Sequence, residues 1–466
     1  MHKTNAILLG LLLMVLLATP LRAQDYPFLN LEANQLHYDS TSVTMQAFLR
    51  KFYRMRTTGQ GNISILHIGG SHVQAGTFPH SIRTHLLGSY PTLVRGRGLI
   101  FPYSAAAKCN NPADYKVHCH EKVTLTRNVY KEPEYPLGLC GIAVTAHDVP
   151  TNIQILSNES QIDYGVTRVV ILGHSPQGIV PSIRYGSHAD TPPSYIDSAN
   201  HRYVYNLMQE IDSFDIVIPC HEGEQFTLTG VLLDSRHPGI TYHSVGVNGA
   251  AVPDYLKCAL VNDLRLIRPD LVIFGIGIND AHGTDFDSVQ FKNNYLRLCD
   301  SIRNVNPQCA FIFITNNDCY RKTGRRSYSV NRNGLQVQEV CYRLAQQTGG
   351  AVWDQFQIMG GLKSMEKWQK AKLAQKDKVH FTRAGYLMLG DLFYQALSAE
   401  LAKDVHIVTN PTVPANRMGS LPRGLRRKPK SKPHGLTINP TPSEEHPTPA
   451  TPEKNSSRDR FPYIPD

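Results

Sequence analysis

Charge is sparse in this chain: only 18% of its 466 residues are Asp, Glu, Lys or Arg. Tryptophan is nearly missing, with two, and cysteine is scarce, with nine and no CxxC pair. Nine thiols in a chain this long do not make a disulfide scaffold. Their odd number leaves at least one free or paired between molecules, and the pairing is not legible. Collagen-like and coiled-coil compositions are absent, and a hydrophobic content of 41% excludes wholesale disorder. Length alone suggests about three domains.

No apolar run is long enough to span a bilayer. The run at residues 6–18 is uncharged, but thirteen residues make only about 20 Å of helix against a core of about 30 Å. With Lys3 before it and Ala23 after it, residues 1–23 read as a secretory signal peptide, a short anchor being the other reading. No Cys follows to carry a lipid. The expected mature chain is soluble, exported, and periplasmic or extracellular. Acidic residues are also short, 38 against 48 Lys and Arg, a net charge of +10. The excess collects at the end. Residues 411–466 hold twelve of the thirty prolines and ten Lys/Arg against five Asp/Glu. Proline at that density forbids helix and central strand, so residues 405–466 are expected to form a disordered basic tail. Such a tail either stays solvated or holds the protein near an anionic wall or membrane surface. Nucleic acid is a poor partner for an exported chain.

Between the ends the rhythm changes twice. Residues 62–68 read as a buried strand, followed by a helix over 77–87. From 140 to 244 short β-rich runs recur at 142–146, 152–156, 166–172, 203–207, 214–218 and 226–233, punctuated by proline and glycine. That pattern predicts an antiparallel sandwich. After Gly246 helices (255–267, 291–305, 335–347, 383–401) alternate with strands (271–276, 310–315, 351–353), which predicts a parallel sheet covered on both faces. The expected organisation is one α/β domain in two parts, residues 24–139 and 245–404, interrupted by a β insertion over 140–244.

The candidate chemistry lies beyond strand ends, where open α/β sheets bind ligands. Gly69-Gly70-Ser71-His72 stands directly before a helix, which places a hydroxyl near helix N-terminal amides. Taken alone, Ser71 reads as a helix cap. Gly275-Ile276-Gly277-Ile278-Asn279-Asp280 comes after another strand, and Asn279 offers an amide donor that cannot ionise. Gly246-Val247-Asn248-Gly249-Ala250 opens a helix and can expose a backbone amide. Asp377 and His380, three apart, can share a turn in which the carboxylate orients the imidazole. His118-Cys119-His120-Glu121 puts two histidines on one strand face, but no third or fourth metal ligand is evident. Gly173-His174-Ser175-Pro176-Gln177-Gly178 is one residue too long for a nucleophile elbow.

Taken in order, Ser71, Gly249, Asn279 and Asp377/His380 resemble the four blocks of the SGNH (GDSL-type) hydrolase superfamily. The runs around Ser71 and His380 look like its bacterial peptidoglycan O-acetylesterase branch. The resemblance implies a flavodoxin-like three-layer α/β/α sheet with a β-sandwich similar to a carbohydrate-binding module inserted between the first two blocks. It implies catalysis by Ser71, Asp377 and His380, and an oxyanion hole formed by Ser71, Gly249 and Asn279. No metal or cofactor is implied, and the substrate is an acetylated glycan, foremost peptidoglycan. A non-catalytic glycan-binding protein on a degenerate hydrolase fold, and an esterase of other polysaccharides, are the alternatives. One departure counts: Gly70 stands where the family usually has Asp. Tyr164, Tyr185, Tyr195 and Tyr203 of the insertion are candidates to stack on sugar rings.

Overall fold

Ile63–Gly69 carries few polar side chains, and its last five residues are all buried. Such a run suits a strand covered on both faces, and it lies inside a seven-stranded sheet. In spatial order the strands are Leu36–His37, Ala351–Trp353, Ala310–Ile314, Leu271–Gly275, Ile63–Gly69, Gly239–Gly246 and Val94–Gly96. All neighbours run parallel except the two-residue edge Leu36–His37. The computed structural model describes residues 23–403, apart from 91–92, 107–108, 134–136, 158–163 and 236. The expected signal peptide, except for its last residue Ala23, and the basic tail lie outside the described residues. Among those described, no helix is long and apolar enough to cross a membrane.

Helices pack in two groups. Val43–Thr58, Thr77–Gly88 and Arg383–Leu401 form one group around the last of these, while Leu260–Ile267, Ser288–Arg303 and Asn333–Thr348 form the second. Val43–Thr58 shows why these segments are helices. Met45, Phe48, Leu49, Phe52 and Met55 fall on one buried stripe, Ser42 Oγ caps Met45 N at 3.2 Å, and Gly59 ends the helix in the left-handed region.

Among the described residues two larger antiparallel sheets follow, beside the two-stranded pair Tyr320–Lys322 and Tyr328–Val330. One orders Ser182–Arg184, Ser213–Ile218, Thr151–Ser157 and Tyr115–Cys119. The other orders Tyr195–Asp197, Arg202–Ile211, Val166–His174, Gln225–Asp234, Ile142–His147 and Thr124–Arg127, with Gly98–Ile100 paired to Gln225–Asp234. Period-two burial, as in Phe214, Ile216 and Ile218, marks half-buried strands. The antiparallel strands therefore begin at Gly98, ahead of Cys140, while Gly239–Gly246 runs in the parallel sheet. Tyr242, Val245 and Ile240 of that strand are fully buried, which an outer sandwich strand would not require.

A buried ionic cluster ties the two parts together. Asp114, just before the strand Tyr115–Cys119 of the four-stranded sheet, accepts from Arg83 Nη1 at 2.9 Å and from Arg97 Nε. Burial opposes its ionisation, but the Arg97 and Arg83 charges outweigh that and hold the carboxyl down at about 2. Removing one partner of such a pair strands a buried charge, at a cost of about 3–5 kcal/mol. All nine cysteines are free thiols.

Candidate active site

The register places the site. Gly69 is level with Gly246 on one neighbouring strand and with Gly275 on the other. Three carboxyl ends therefore finish together, and Ser71, Gly249 and Asn279 come within a few residues of them. Ser71 opens the short helix Ser71–Gln74, which lies against the adjacent strand. Gly246 permits that approach, since a side chain there would begin 2.5 Å from Gln74 N and 2.7 Å from Gly70 O.

Ser71 Oγ lies 2.9 Å from His380 Nε2, and His380 Nδ1 lies 2.6 Å from Asp377 Oδ2. Asp377 Oδ1 accepts from the backbone N–H of Val379 and His380, each at 3.0 Å. Burial pushes the Asp377 carboxyl up, but the His380 hydrogen bond and charge, with the two N–H groups, hold it below the ordinary value. An ionised carboxylate only accepts, so Nδ1 of His380 carries the proton, and in the neutral ring Nε2 is the acceptor facing the serine O–H. A hydroxyl on an imidazole oriented in this way can act as a nucleophile. Ser71 is only 4% exposed and His380 1%, so the serine is more enclosed than a strand-end hydroxyl need be.

The loop bearing Asp377 and His380 is strung to its surroundings by residues that sequence reasoning missed. Asn317 Nδ2 donates to Val379 O at 3.0 Å, Tyr320 N to Lys378 O at 3.1 Å, and Gln375 N to His380 O at 2.8 Å. Lys378 adopts φ +58°, costly for a residue with a Cβ. Its ammonium pairs with Glu366 at 2.9 Å and lies 4.6 Å from the Tyr320 ring centroid. His72 was also missed as a neighbour. Its ring centroid is 5.2 Å from that of His380, and its Nδ1 is 2.8 Å from Tyr386 Oη. Burial, reinforced by the His380 charge, pushes His72 down to about 3, so it stays neutral beside the working imidazole. Neither contact has a local sequence signal, because both partners are distant along the chain.

Asn279 is 1% exposed, and its Nδ2 donates to Ala250 O at 2.9 Å. Asp280 accepts from Val252 N at 3.1 Å, so the segments after two strands are cross-linked beside the serine. Gly249 precedes Ala250 with φ +85°, a conformation that favours glycine. Gly70 has φ −98° and ψ −141°, outside both the extended and the right-handed helical regions. A side chain at Gly70 would begin 3.4 Å from both Ala250 O and Asn279 Nδ2, ordinary contact distance. The glycine is thus not forced by its contacts, and the space beside it adjoins the Asn279 amide.

The other candidates lie elsewhere. Among the described residues no group of three or more His, Cys, Asp or Glu side chains is placed to hold a metal ion. Glu121 instead accepts from Asn152 N at 3.3 Å. Tyr164, Tyr185 and Tyr203 are buried, their rings spent on the sandwich core, and of the four tyrosines only Tyr195 is exposed, at 52%.

Residues 223–388 match the model of the GDSL-like lipase/acylhydrolase family. That span holds Gly249, Asn279, Asp377 and His380, while Ser71 precedes it. No curated protein matches the chain. Among solved structures, a peptidoglycan O-acetylesterase superposes with a TM-score of 0.62 at 20% identity, covering 78% of this chain and 99% of that one. An acetyl xylan esterase is 19% identical over 34% of this chain and 81% of its own, with a TM-score of 0.28. A family two carbohydrate esterase from Cellvibrio japonicus is 10% identical over 62% and 98%, with a TM-score of 0.27. Residues 223–388 are thus similar to the GDSL-like lipase/acylhydrolase family, and the fold resembles that of the peptidoglycan O-acetylesterase.

Proposed function

We propose that this protein is an exported esterase that removes O-acetyl groups from a glycan, foremost peptidoglycan. The observation that carries the reading is the unbroken hydrogen-bonded line from Ser71 Oγ through His380 to Asp377, set where three strand ends meet. In this reading Ser71 Oγ attacks the acetyl carbonyl carbon while His380 Nε2 takes its proton. The carbonyl oxygen becomes an oxyanion facing Ser71 N–H, Gly249 N–H and the Asn279 amide. The intermediate collapses, the sugar oxygen leaves with the proton from His380, and an acetyl ester remains on Ser71. Water then attacks that ester with His380 again as base, which releases acetate and restores the serine. Asp377 holds the ring in the working tautomer throughout.

The acetylated glycan is inferred from the antiparallel sandwich beside the site and from the likeness to the peptidoglycan enzyme. The basic C-terminal stretch is read as a tether to an anionic wall or membrane surface. Acetate release from O-acetylated peptidoglycan, acetyl xylan and a small acetyl ester tests the reading. Turnover highest on peptidoglycan supports it, and preference for xylan moves the substrate to another polysaccharide. No release from any of the three, beside glycan binding, leaves a binding protein on a hydrolase fold.

A further inference from the structure

An acetyl group is too small to tell a polymer from a simple ester, so recognition has to come from the sugar chain. The sandwich tyrosines legible in the sequence do not supply it. Three are buried, and Tyr195 lies on the edge strand Tyr195–Asp197, five strand spacings from Thr124–Arg127 at the other edge of the sheet. At ~4.8 Å per spacing that is roughly 24 Å. Thr124–Arg127 is the edge whose adjoining turn reaches the serine side of the molecule.

Residues 127–130 form that turn, closed by Tyr130 N donating to Arg127 O at 3.1 Å. Val129 Cγ1 lies 3.9 Å from where a Gly249 side chain would begin. Lys257 Nζ donates to Tyr130 O at 2.9 Å and pairs with Asp254 at 2.9 Å. Asp254 in turn accepts from Ala251 N at 2.8 Å. The turn is thereby fastened to the same segment that presents Gly249. Its last residue, Tyr130, is 39% exposed, and the Arg127 guanidinium carbon lies 5.3 Å from its ring centroid. One side of the ring is therefore backed by a cation, and the ring is ordered before any ligand arrives.

Resting on the esterase reading for the identity of the site, we propose that Tyr130 is a stacking platform for a pyranose ring of the glycan whose ester sits at Ser71. The apolar C–H face of a sugar matches an aromatic ring, while its hydroxyl edge stays wet, and tyrosine offers the same split between apolar body and polar tip. Val129, next to Tyr130 in the turn, meets the Gly249 segment, which puts the platform on the oxyanion side of the site.

The test is calorimetric titration with a β-1,4-linked N-acetylglucosamine tetramer, which carries no ester. The wild type is compared with Tyr130→Ala, Tyr130→Phe and Tyr130→Trp, with melting curves as the check on folding. Tyr130→Ala weakens binding about tenfold, as for other exposed aromatic anchors, while the two variants that keep a ring stay within about threefold. Should Tyr130→Ala fail to fold, Tyr130→Gln removes the ring in its place. A ringless variant that binds like the wild type overturns the proposal, as does a wild type with no saturable binding or an equal loss in Tyr130→Phe. Because the probe has no ester, the two readings fail separately. Tyr130-dependent binding without acetate release upholds the platform and removes the esterase, and acetate release with Tyr130-independent binding does the reverse.

Discussion

Replacing Asp377 with Asn changes one charge and one atom type, and the hydrogen bonds around the carboxylate set the consequence. Asp377 Oδ1 accepts from Val379 N and His380 N, both at 3.0 Å, and an Asn oxygen satisfies both, so the loop keeps its shape. The amide nitrogen is then left opposite His380 Nδ1, at the position where Oδ2 lies 2.6 Å away. Two donors cannot share that contact. The imidazole proton moves to Nε2, which faces Ser71 Oγ at 2.9 Å, and the serine loses the acceptor for its own proton. The same change in a Ser-His-Asp triad costs about 10⁴ in kcat, which is about 5.5 kcal/mol at 1.36 kcal/mol per tenfold. Steady-state hydrolysis of p-nitrophenyl acetate measures this, and nitrogen NMR of His380 reports the tautomer. Stability carries a second signature. The folded Asp377 carboxyl sits below its ordinary value, so its contribution is present above the unfolded value and lost as pH falls through the folded one. Wild type is therefore more stable than Asp377→Asn at neutral pH, and the difference closes in acid. A variant that keeps kcat within tenfold of wild type refutes the orienting role of the carboxylate.

The same geometry gives three more expected outcomes. Asn279→Ala lowers kcat by about 10²–10³ with a smaller change in KM, because its amide is used mainly in the transition state; steady-state kinetics showing a pure KM effect make it a substrate-positioning group. Gly70→Ala leaves stability within about 1 kcal/mol in denaturant unfolding, the lower entropy of its unfolded chain being offset by the ψ of −141° while its Cβ meets neighbours at 3.4 Å; a larger loss means that the space beside Asn279 is needed by the fold. Asp318, fully buried, accepts from Met365 N at 2.9 Å, and burial raises its carboxyl to about 6. Between the unfolded value and about 6 the folded state holds the proton and the unfolded state does not, so stability falls as pH rises. Asp318→Asn is then more stable than wild type at pH 7.5, by up to about 3 kcal/mol, with the gap closing below the unfolded value. A gap that does not change with pH in chemical denaturation rules this out.

The residues around Ser71, Asn279 and His380 were legible because their signals are local. Glycines or turn residues mark where the backbone must bend beside each of them, and Ser71 and Asn279 come directly after apolar strands. The helix Arg383–Leu401 and the strand Ala351–Trp353 were legible for the same reason, their ends falling as expected. The stretch 255–267 reads as one helix but breaks between Val252–Tyr255 and Leu260–Ile267, because Ala259 N donates to Leu137 O at 2.8 Å instead of to its own helix. That partner lies more than a hundred residues away. The strands Gly98–Ile100 and Tyr115–Cys119 escaped notice because they are short and lie in a stretch that begins as α/β. Which sandwich tyrosines face solvent depends on both sheets at once, so Tyr164, Tyr185 and Tyr203 could not be told from Tyr195 by alternation. Tyr130 sits outside any strand, where periodicity has nothing to say.

The central claim is that Ser71 is the nucleophile, raised to reactivity by His380. A fluorophosphonate reports this directly, because it forms a stable bond only with a serine whose proton an adjacent base removes. Intact mass spectrometry followed by peptide mapping of the treated protein is the measurement. The account predicts one adduct per chain, located on Ser71, abolished in Ser71→Ala, strongly slowed in His380→Ala, and formed in step with loss of acetyl ester hydrolysis. An unmodified Ser71, or an adduct on another serine that tracks the loss of activity, would contradict it.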